Sequence, residues 1–134
     1  MADGSFHLEI ITPDTVLVSE EVDSIEVPGT HGEFQVMADH TPFLTALTIG
    51  ALNFSKSGEK TSLSISGGFC EVMPDKTVIL AQTAERSDQI DTTRAASARD
   101  RAEQRLQSPT PDIDASRAEL ALKRAINRIR VAGL

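Results

Sequence analysis

Residues 78–95, VILAQTAERSDQIDTTRA, contain the point at which the chain changes its pattern. Before it, apolar and β-branched residues come in short runs separated by glycine and proline, which is typical of strands. After it, alanine recurs at intervals of three and four, which is typical of amphipathic helices. The charge changes as well: residues 1–86 hold 13 acidic and 4 basic side chains, whereas residues 87–134 hold 7 acidic and 9 basic. The sequence therefore predicts an α+β protein, with a β domain over residues 1–86 and a helical domain over residues 87–134.

The first 86 residues predict an antiparallel β-sandwich or a flattened barrel. Phe6, Leu8 and Ile10 alternate with polar residues, so one face of this strand is expected in the core. Further short strands are predicted at residues 16–18, 22–27, 34–37, 52–54, 63–65, 69–73 and 78–80. The turn signals between them are Pro13-Asp14, Pro28-Gly29, His31-Gly32, Ser57-Gly58, Gly67-Gly68 and Pro74-Asp75. Many short strands at this spacing are typical of sandwiches.

The last 48 residues predict two helices, over residues 90–107 and 114–131, with Ser108-Pro109-Thr110-Pro111-Asp112 between them. Two prolines this close cannot lie inside one helix. Asp88 or Asp91 is expected to cap the first helix. The stripes of mainly small residues are Ala95, Ala98, Ala102 and Leu106, and then Ala115, Ala118, Leu122, Ala125, Ile129 and Ala132. They predict a closely packed antiparallel hairpin that buries little apolar area, so the β domain, a partner or a ligand is needed to hold it.

Composition argues against several classes of protein. A net charge of −7 and the absence of Trp and Tyr disfavour binding to nucleic acid. The apolar runs are too short to cross a bilayer, so no direct membrane insertion is expected. Cys70 is the single cysteine, which excludes a disulfide within the chain. Residues 1–5 lack a hydrophobic stretch, so we expect no signal peptide and a cytoplasmic location.

No pattern in the sequence predicts catalysis or a metal site. His7, His31 and His40 lack metal-ligand spacing and have no matching nucleophile, so surface contacts are the expected role. Ser66-Gly67-Gly68-Phe69 is followed neither by a helix nor by a Lys-Ser/Thr pair. We therefore interpret it as a tight β-bend rather than a phosphate-binding loop.

The arginines of the predicted hairpin admit two interpretations. Arg94 and Arg101 share one side of the first helix, and Arg124 and Arg128 lie one turn apart on the second. In an antiparallel hairpin these guanidinium groups could converge on an anion, since their geometry suits phosphate. The alternative is a solvated face of salt bridges. The carboxylates that could take part are Asp100, Glu103 and Glu119. On pattern alone, the solvated face is favoured.

Several segments form an ordered series along the chain. They are Gly32-Glu33-Phe34, Asp39-His40-Thr41-Pro42-Phe43-Leu44-Thr45, Ser66-Gly67-Gly68-Phe69-Cys70-Glu71-Val72, Val78-Ile79-Leu80-Ala81 and RAELALKRA at residues 117–125. With the alanine-rich hairpin behind them, these segments resemble the epsilon subunit family of bacterial F-type ATP synthases. The resemblance covers essentially the whole chain.

The resemblance implies a sandwich of about ten strands followed by two helices, in a non-catalytic rotor subunit. Such a subunit belongs to the central stalk, binds the gamma subunit and the polar loops of the c-ring, and couples proton translocation to ATP synthesis. It would lie peripherally at the cytoplasmic face of the bacterial inner membrane. Its hairpin would be mobile: compact, it rests on the sandwich; extended, it reaches the alpha and beta subunits and inhibits ATP hydrolysis. A stand-alone interaction adaptor fits the general pattern but not the specific segments.

The resemblance also implies surfaces for protein partners. Glu33 and His40 match positions that contact the c-ring and the gamma subunit. Gln35 and Asp39 depart from the family pattern close to them. On the second helix, the basic residues implied in the inhibitory contact are Lys123, Arg124, Arg128 and Arg130.

A regulatory ATP site is implied as well, with no required cofactor. Ile90-Asp91-Thr92-Thr93-Arg94-Ala95 matches the ATP motif of some family members. The remaining positions of that site match Glu85, Arg101, Arg124 and Arg128. The arginines would neutralise phosphates, and Asp91 or Glu85 would accept hydrogen bonds from adenine or ribose. With the resemblance, the anion interpretation of the arginines becomes the favoured one.

Overall fold

A computed structural model describes residues 4–134 and contains eight strands followed by two helices. The strands are β1 (Phe6–Ile11), β2 (Val16–Val22), β3 (Ser24–Gly29), β4 (Gly32–Met37), β5 (Phe43–Lys56), β6 (Glu59–Val72), β7 (Lys76–Ala81) and β8 (Ala84–Arg86). A short 3₁₀ turn (Ser87–Gln89) leads into α1 (Thr92–Gln107) and α2 (Ala115–Ala132). Residues 1–3 lie outside the described residues. They are the start of the predicted β domain and most of the segment, residues 1–5, that was considered as a signal peptide.

The strands form the predicted sandwich around one core. Their hydrogen-bonded order is β2-β1-β7-β6-β5-β3-β4, with β8 paired to β6, and all pairs are antiparallel except β1 with β7. β2 packs against β5 although three strands separate them in this order, so the sheet folds back over itself. The largest side chains enclosed between the layers include Phe54, Leu8, Ile10 and Leu52.

The structure has eight strands among residues 4–134, whereas the resemblance implied about ten, and one predicted strand boundary is wrong. Residues 63–65 and 69–73 were predicted as separate strands, but β6 runs through both and stays in register with β5. The bend predicted at Gly67-Gly68 is present inside this strand, where the two φ angles are +102° and +133°. A Cβ atom on Gly68 would lie 1.9 Å from the carbonyl oxygen of Leu80, so only glycine fits. The bend lets β6 pair with β8 before it and with β7 after it.

Aspartates begin both helices. The Asp91 side chain accepts a hydrogen bond from the backbone N–H of Arg94 at 3.0 Å, and Asp114 does the same for Arg117 at 3.1 Å. Each aspartate satisfies a backbone N–H that has no partner within the helix. Because Asp91 caps α1, the helix begins at Thr92, two residues later than predicted. Asp91 rather than Asp88 is therefore the cap.

The hairpin packs through its alanines and docks on the sandwich through its second helix. Ala95 and Ala102 of α1 and Ala118 and Ala125 of α2 are all buried, as the stripes predicted. α2 is the helix that makes the main contact with β5, β6 and the 3₁₀ turn. No helix within residues 4–134 has the length and apolar character needed to cross a membrane.

Candidate functional site

An ion pair joins the end of the sandwich to α2. Arg128 donates from Nε to Glu85 Oε1 at 2.6 Å and from Nη2 to Oε2 at 3.1 Å. This is the two-pronged geometry that makes guanidinium–carboxylate pairs specific. Arg124 lines the same small cavity, together with Ser66 and Thr83. Three of the residues predicted for ATP binding are therefore brought together by the fold.

The space beside this ion pair is too small for a nucleotide. The cavity measures ≈ 30 Å³, whereas pockets for small organic ligands are on the order of 300 Å³ or more. Glu85 also occupies the Nε and Nη2 donors of Arg128 that a phosphate would use. In this compact arrangement, a bound triphosphate would require Arg128 to turn away from Glu85 or to share its donors.

The other residues predicted for the ATP site lie in α1 or just before it, and no hydrogen bond or ion pair among the described residues joins them to this pair. Asp91 is engaged as the helix cap, while Ile90 and Ala95 are buried. Arg94 and Arg101 are exposed, and within residues 4–134 no hydrogen bond or ion pair connects their side chains to Glu85, Arg124 or Arg128. Arg101 instead borders a hollow near the end of α1.

A larger groove of ≈ 530 Å³ lies beside the hairpin turn. Its lining includes Arg105, Arg117 and Arg124 and also the carboxylates of Asp112 and Asp114. The Thr110 hydroxyl donates to Asp112 and lowers the pKa of that carboxyl, which keeps it charged. Since Arg124 lines both spaces, the groove and the small cavity are adjacent. Arg117 was not predicted as a site residue, although a turn at residues 108–112 places the start of the second helix near the end of the first, and Arg117 lines this groove with Arg105.

Most arginines of the hairpin have no carboxylate partner. Among the described residues, the ion pairs that involve the helices are Arg128 with Glu85 and Arg99 with Asp100. The predicted partners Glu103 and Glu119 form no ion pair in this part of the chain. Most of these guanidinium groups are therefore not part of a salt-bridge network among the described residues.

The two predicted partner-contact residues lie on one concave surface, whose hollow has a volume of ≈ 310 Å³. Glu33 and His40 both line it, with Phe34 and Phe43 between them. The rings of Phe34 and Phe43 meet edge to face at 5.1 Å, and the His40 ring lies 5.2 Å from Phe43. His40 Nδ1 lies 2.8 Å from the carbonyl oxygen of Thr41, so it is the nitrogen that donates, and Nε2 remains for a partner.

A row of large apolar side chains crosses the outer face of the sheet, and the sequence pattern did not predict it. Phe69 of β6 pairs with Leu80 of β7, Leu80 pairs with Ile11 of β1, and Ile11 pairs with Val16 of β2. Leu44 of β5 lies diagonally beside Phe69. We call these five residues the apolar band. Leu44, Phe69, Leu80 and Val16 are 50–65% exposed, and contiguous exposure of this kind marks interaction sites.

No group of His, Cys, Asp and Glu side chains within residues 4–134 is arranged to hold a metal ion. Cys70 is fully buried, and this burial raises the pKa of its thiol to about 12. The thiol is therefore a core side chain rather than a reactive group.

Comparison with known proteins assigns the family. Residues 5–87 match the model described as ATP synthase, Delta/Epsilon chain, beta-sandwich domain, and residues 88–133 match the corresponding long alpha-helix domain. The chain is 49% identical to the ATP synthase epsilon chain of Nitratidesulfovibrio vulgaris over 131 residues, which is 98% of each protein. It is 47% identical to that of Bacillus licheniformis over 96% of this chain and 98% of the relative.

Solved structures agree with this assignment. A chain of the Euglena gracilis mitochondrial ATP synthase, solved as OSCP/F1/c-ring, superposes with a TM-score of 0.82 at 27% identity, covering 94% of this chain and 82% of that one. A chain of the Tetrahymena thermophila central stalk/c-ring structure shares the fold, with a TM-score of 0.57 at 16% identity and coverage of 96% and 93%. The chain belongs to the ATP synthase delta/epsilon family, as a member similar to the bacterial epsilon chains.

Proposed function

We propose that this chain is a rotor subunit of the ATP synthase central stalk, at the cytoplasmic face of the bacterial inner membrane. In this role it performs no chemistry itself but transmits rotation between the proton-translocating c-ring and the catalytic head. The observation that carries the proposal is the apolar band, because an exposed row of this size calls for a covering partner. In the proposed complex that partner is the gamma subunit.

The concave surface around Glu33 and His40 serves as the second contact in this proposal. It offers a carboxylate, an imidazole nitrogen and aromatic edges, which suit the polar loops of a c-ring. Asp39 adds a charge beside it and adopts a φ angle of +63°, so the loop presents His40 from a tight turn.

The hairpin is the regulatory element of the proposal. Extended, it would meet the alpha and beta subunits and slow ATP hydrolysis through the basic residues of α2. Lys123, Arg124 and Arg130 are exposed in the compact form, but Arg128 is held by Glu85. Undocking therefore adds a fourth cationic side chain to the surface available for that contact.

ATP acts in this proposal as a ligand that favours the compact hairpin. The support is electrostatic: three guanidinium groups that form no ion pair in the described part of the chain, those of Arg105, Arg117 and Arg124, line a groove that also contains Asp112 and Asp114, and Arg124 lines the cavity beside Glu85 and Arg128 as well. A triphosphate would offset their mutual repulsion, and only the folded hairpin brings the arginines of α2 near the sandwich. The Glu85–Arg128 pair must open to admit it, so ATP binding includes the cost of breaking that pair.

Copurification with the gamma subunit tests the proposal. The variant Phe69→Ser with Leu80→Ser should fold but lose gamma, because it removes apolar area at the centre of the band. Met37→Ser is the matched control, since Met37 is 57% exposed on β4, outside the band. Retention of gamma by the double variant would show that the band is not the docking surface. If the unmodified chain failed to bind gamma at all, the stand-alone adaptor would be favoured.

A further inference from the structure

The side of α2 that faces the sandwich is mostly polar. Four residues lie on this side, at sequence intervals of three, one and three: Arg124, Asn127, Arg128 and Val131. Only Val131 is apolar. Asn127 is as deeply buried as the core residues, with 5% of its surface exposed. An amide at such a position is costly unless every polar atom finds a partner.

The sandwich surface beneath α2 is polar too. Residues 62–65 of β6 are all buried, although alternate residues of a strand normally point to opposite faces. Leu63 and Ile65 lie in the core, whereas Ser62 and Ser64 lie on the other face. There Ser64 meets α2, and Ser62 borders the 3₁₀ turn and Leu134 at the end of the hairpin. The Ser62 hydroxyl donates to Asn53 Oδ1 at 2.6 Å within the sandwich, so it keeps a partner when the helix leaves. Water can then solvate this polar face.

Asn127 is the side chain that connects the two surfaces. Its Nδ2 donates to the carbonyl oxygen of Gly50 at 2.8 Å and to Ser64 Oγ at 3.0 Å. Its Oδ1 accepts from Arg130 Nη2 at 2.9 Å. The orientation of the amide is unambiguous, because the carbonyl can only accept and the guanidinium can only donate. Both amide donors and the acceptor are thus used.

We propose that Asn127 is a latch that holds the hairpin docked, through Gly50 and Ser64, independently of nucleotide. Undocking breaks two hydrogen bonds that water replaces on both sides, and on this face it exposes serines rather than a hydrophobic core. Undocking also opens the Glu85–Arg128 pair, which water can replace as well, so the latch and this pair together set how strongly the docked form is favoured. The proposal rests on the regulatory hairpin of the proposed function, which must break these contacts in order to extend.

Thiol labelling of the isolated full-length chain tests the latch. A Ser62→Cys substitution places a thiol at a position that is 5% exposed, beside the 3₁₀ turn and Leu134 at the end of the hairpin, so its labelling rate reports departure of the hairpin. Cys70 reports global unfolding, because it is fully buried and its pKa is raised to about 12. In this background, Asn127→Ala should accelerate labelling at position 62 on the order of tenfold, the size expected for losing one or two buried hydrogen bonds. Cys70 should stay protected.

Two further variants make the test specific. Ser64→Ala removes one partner of the latch and should accelerate labelling less, and combining it with Asn127→Ala should add less than the product of the two effects. Ile126→Ala alters the neighbouring residue, which is 48% exposed on the other side of α2, and should leave the rate unchanged.

Equal labelling of the Asn127→Ala variant and its parent would overturn the latch. If Cys70 were labelled in parallel, the variant would have unfolded, and Ser64→Ala would then decide: no acceleration there would also overturn it. The assay needs neither gamma nor ATP. Its failure therefore leaves the rotor assignment standing, and loss of gamma binding would leave the latch standing.

Discussion

Breaking the ion pair between Glu85 and Arg128 should loosen the hairpin by a measurable amount. Glu85→Gln keeps the shape of the side chain but removes its charge. The two side chains are 36% and 22% exposed, so the pair is neither fully solvated nor fully buried. Exposed ion pairs contribute about 0.2–1 kcal/mol and hydrogen bonds to charged groups about 1.5–3 kcal/mol, so we expect a loss of about 1–2 kcal/mol.

Native-state amide hydrogen exchange is the assay for this prediction. A loss of that size corresponds to an increase of roughly 5–30-fold in the undocked population, and the amides of α2 and β8 should exchange faster by the same factor. The core strands should be unaffected, because they open only on global unfolding. Asp100→Asn is the matched control: its pair with Arg99 is 3.2 Å long and more exposed, so it should cost under about 0.5 kcal/mol.

A double-mutant cycle makes the prediction refutable. Glu85→Gln and Arg128→Ala remove the same interaction, so the second substitution should add little after the first, with a coupling of about 1–2 kcal/mol. A coupling below about 0.3 kcal/mol would show that the two-pronged geometry contributes nothing to docking. An equal effect of Asp100→Asn would show that any charge change on the surface acts in the same way.

Three further predictions concern the sandwich, the nucleotide and the inhibitory contact. Gly68→Ala should destabilise the sandwich by about 3 kcal/mol or more in chemical denaturation, because its Cβ would meet the Leu80 carbonyl, whereas Gly32→Ala, with nothing within 4 Å, should cost about 1–2 kcal/mol for backbone strain alone. Calorimetry on the isolated chain should detect ATP binding at millimolar concentration and a clear loss in Arg124→Ala, because Arg124 lines both the groove and the cavity beside Arg128; equal binding would refute the role of Arg124. ATP hydrolysis by the assembled complex should rise, and its inhibition should lose its salt dependence, when the basic residues of α2 are neutralised together. These residues are Lys123, Arg124, Arg128 and Arg130.

Local signals in the sequence predicted the fold better than the site. Asp91 and the Pro109–Pro111 break define the helix ends because capping and proline act over a few residues. The alanine stripes predicted how the helices face each other for the same reason. A strand boundary failed at Gly67-Gly68, because a glycine pair can make either a turn between strands or a bend within one, and only the pairing with β5 decides which.

The site depends on contacts between distant parts of the chain. Asn127 meets Gly50 and Ser64 across 77 and 63 residues, and nothing in the local pattern of α2 distinguishes it from an exposed polar residue. The apolar band was visible as consecutive apolar residues in β6 and β7, but alternation alone could not show that both faces of these strands are apolar. Spacing on the second helix singled out Arg128, and the resemblance added Glu85, both as ATP contacts; their ion pair with each other was not predicted and is seen only in the structure.

The most direct test of the account is proton pumping driven by ATP hydrolysis in a reconstituted synthase that lacks its own subunit of this family. The account predicts that the full-length chain restores gamma binding and pumping. It also predicts that a chain ending at residue 87 does so nearly as well, because the apolar band and the surface around Glu33 and His40 lie within the sandwich. Hydrolysis should be higher with the shortened chain, since the hairpin is gone. If the full-length chain bound gamma and restored pumping but the shortened, folded chain did neither, the proposed division between a coupling sandwich and a regulatory hairpin would be wrong.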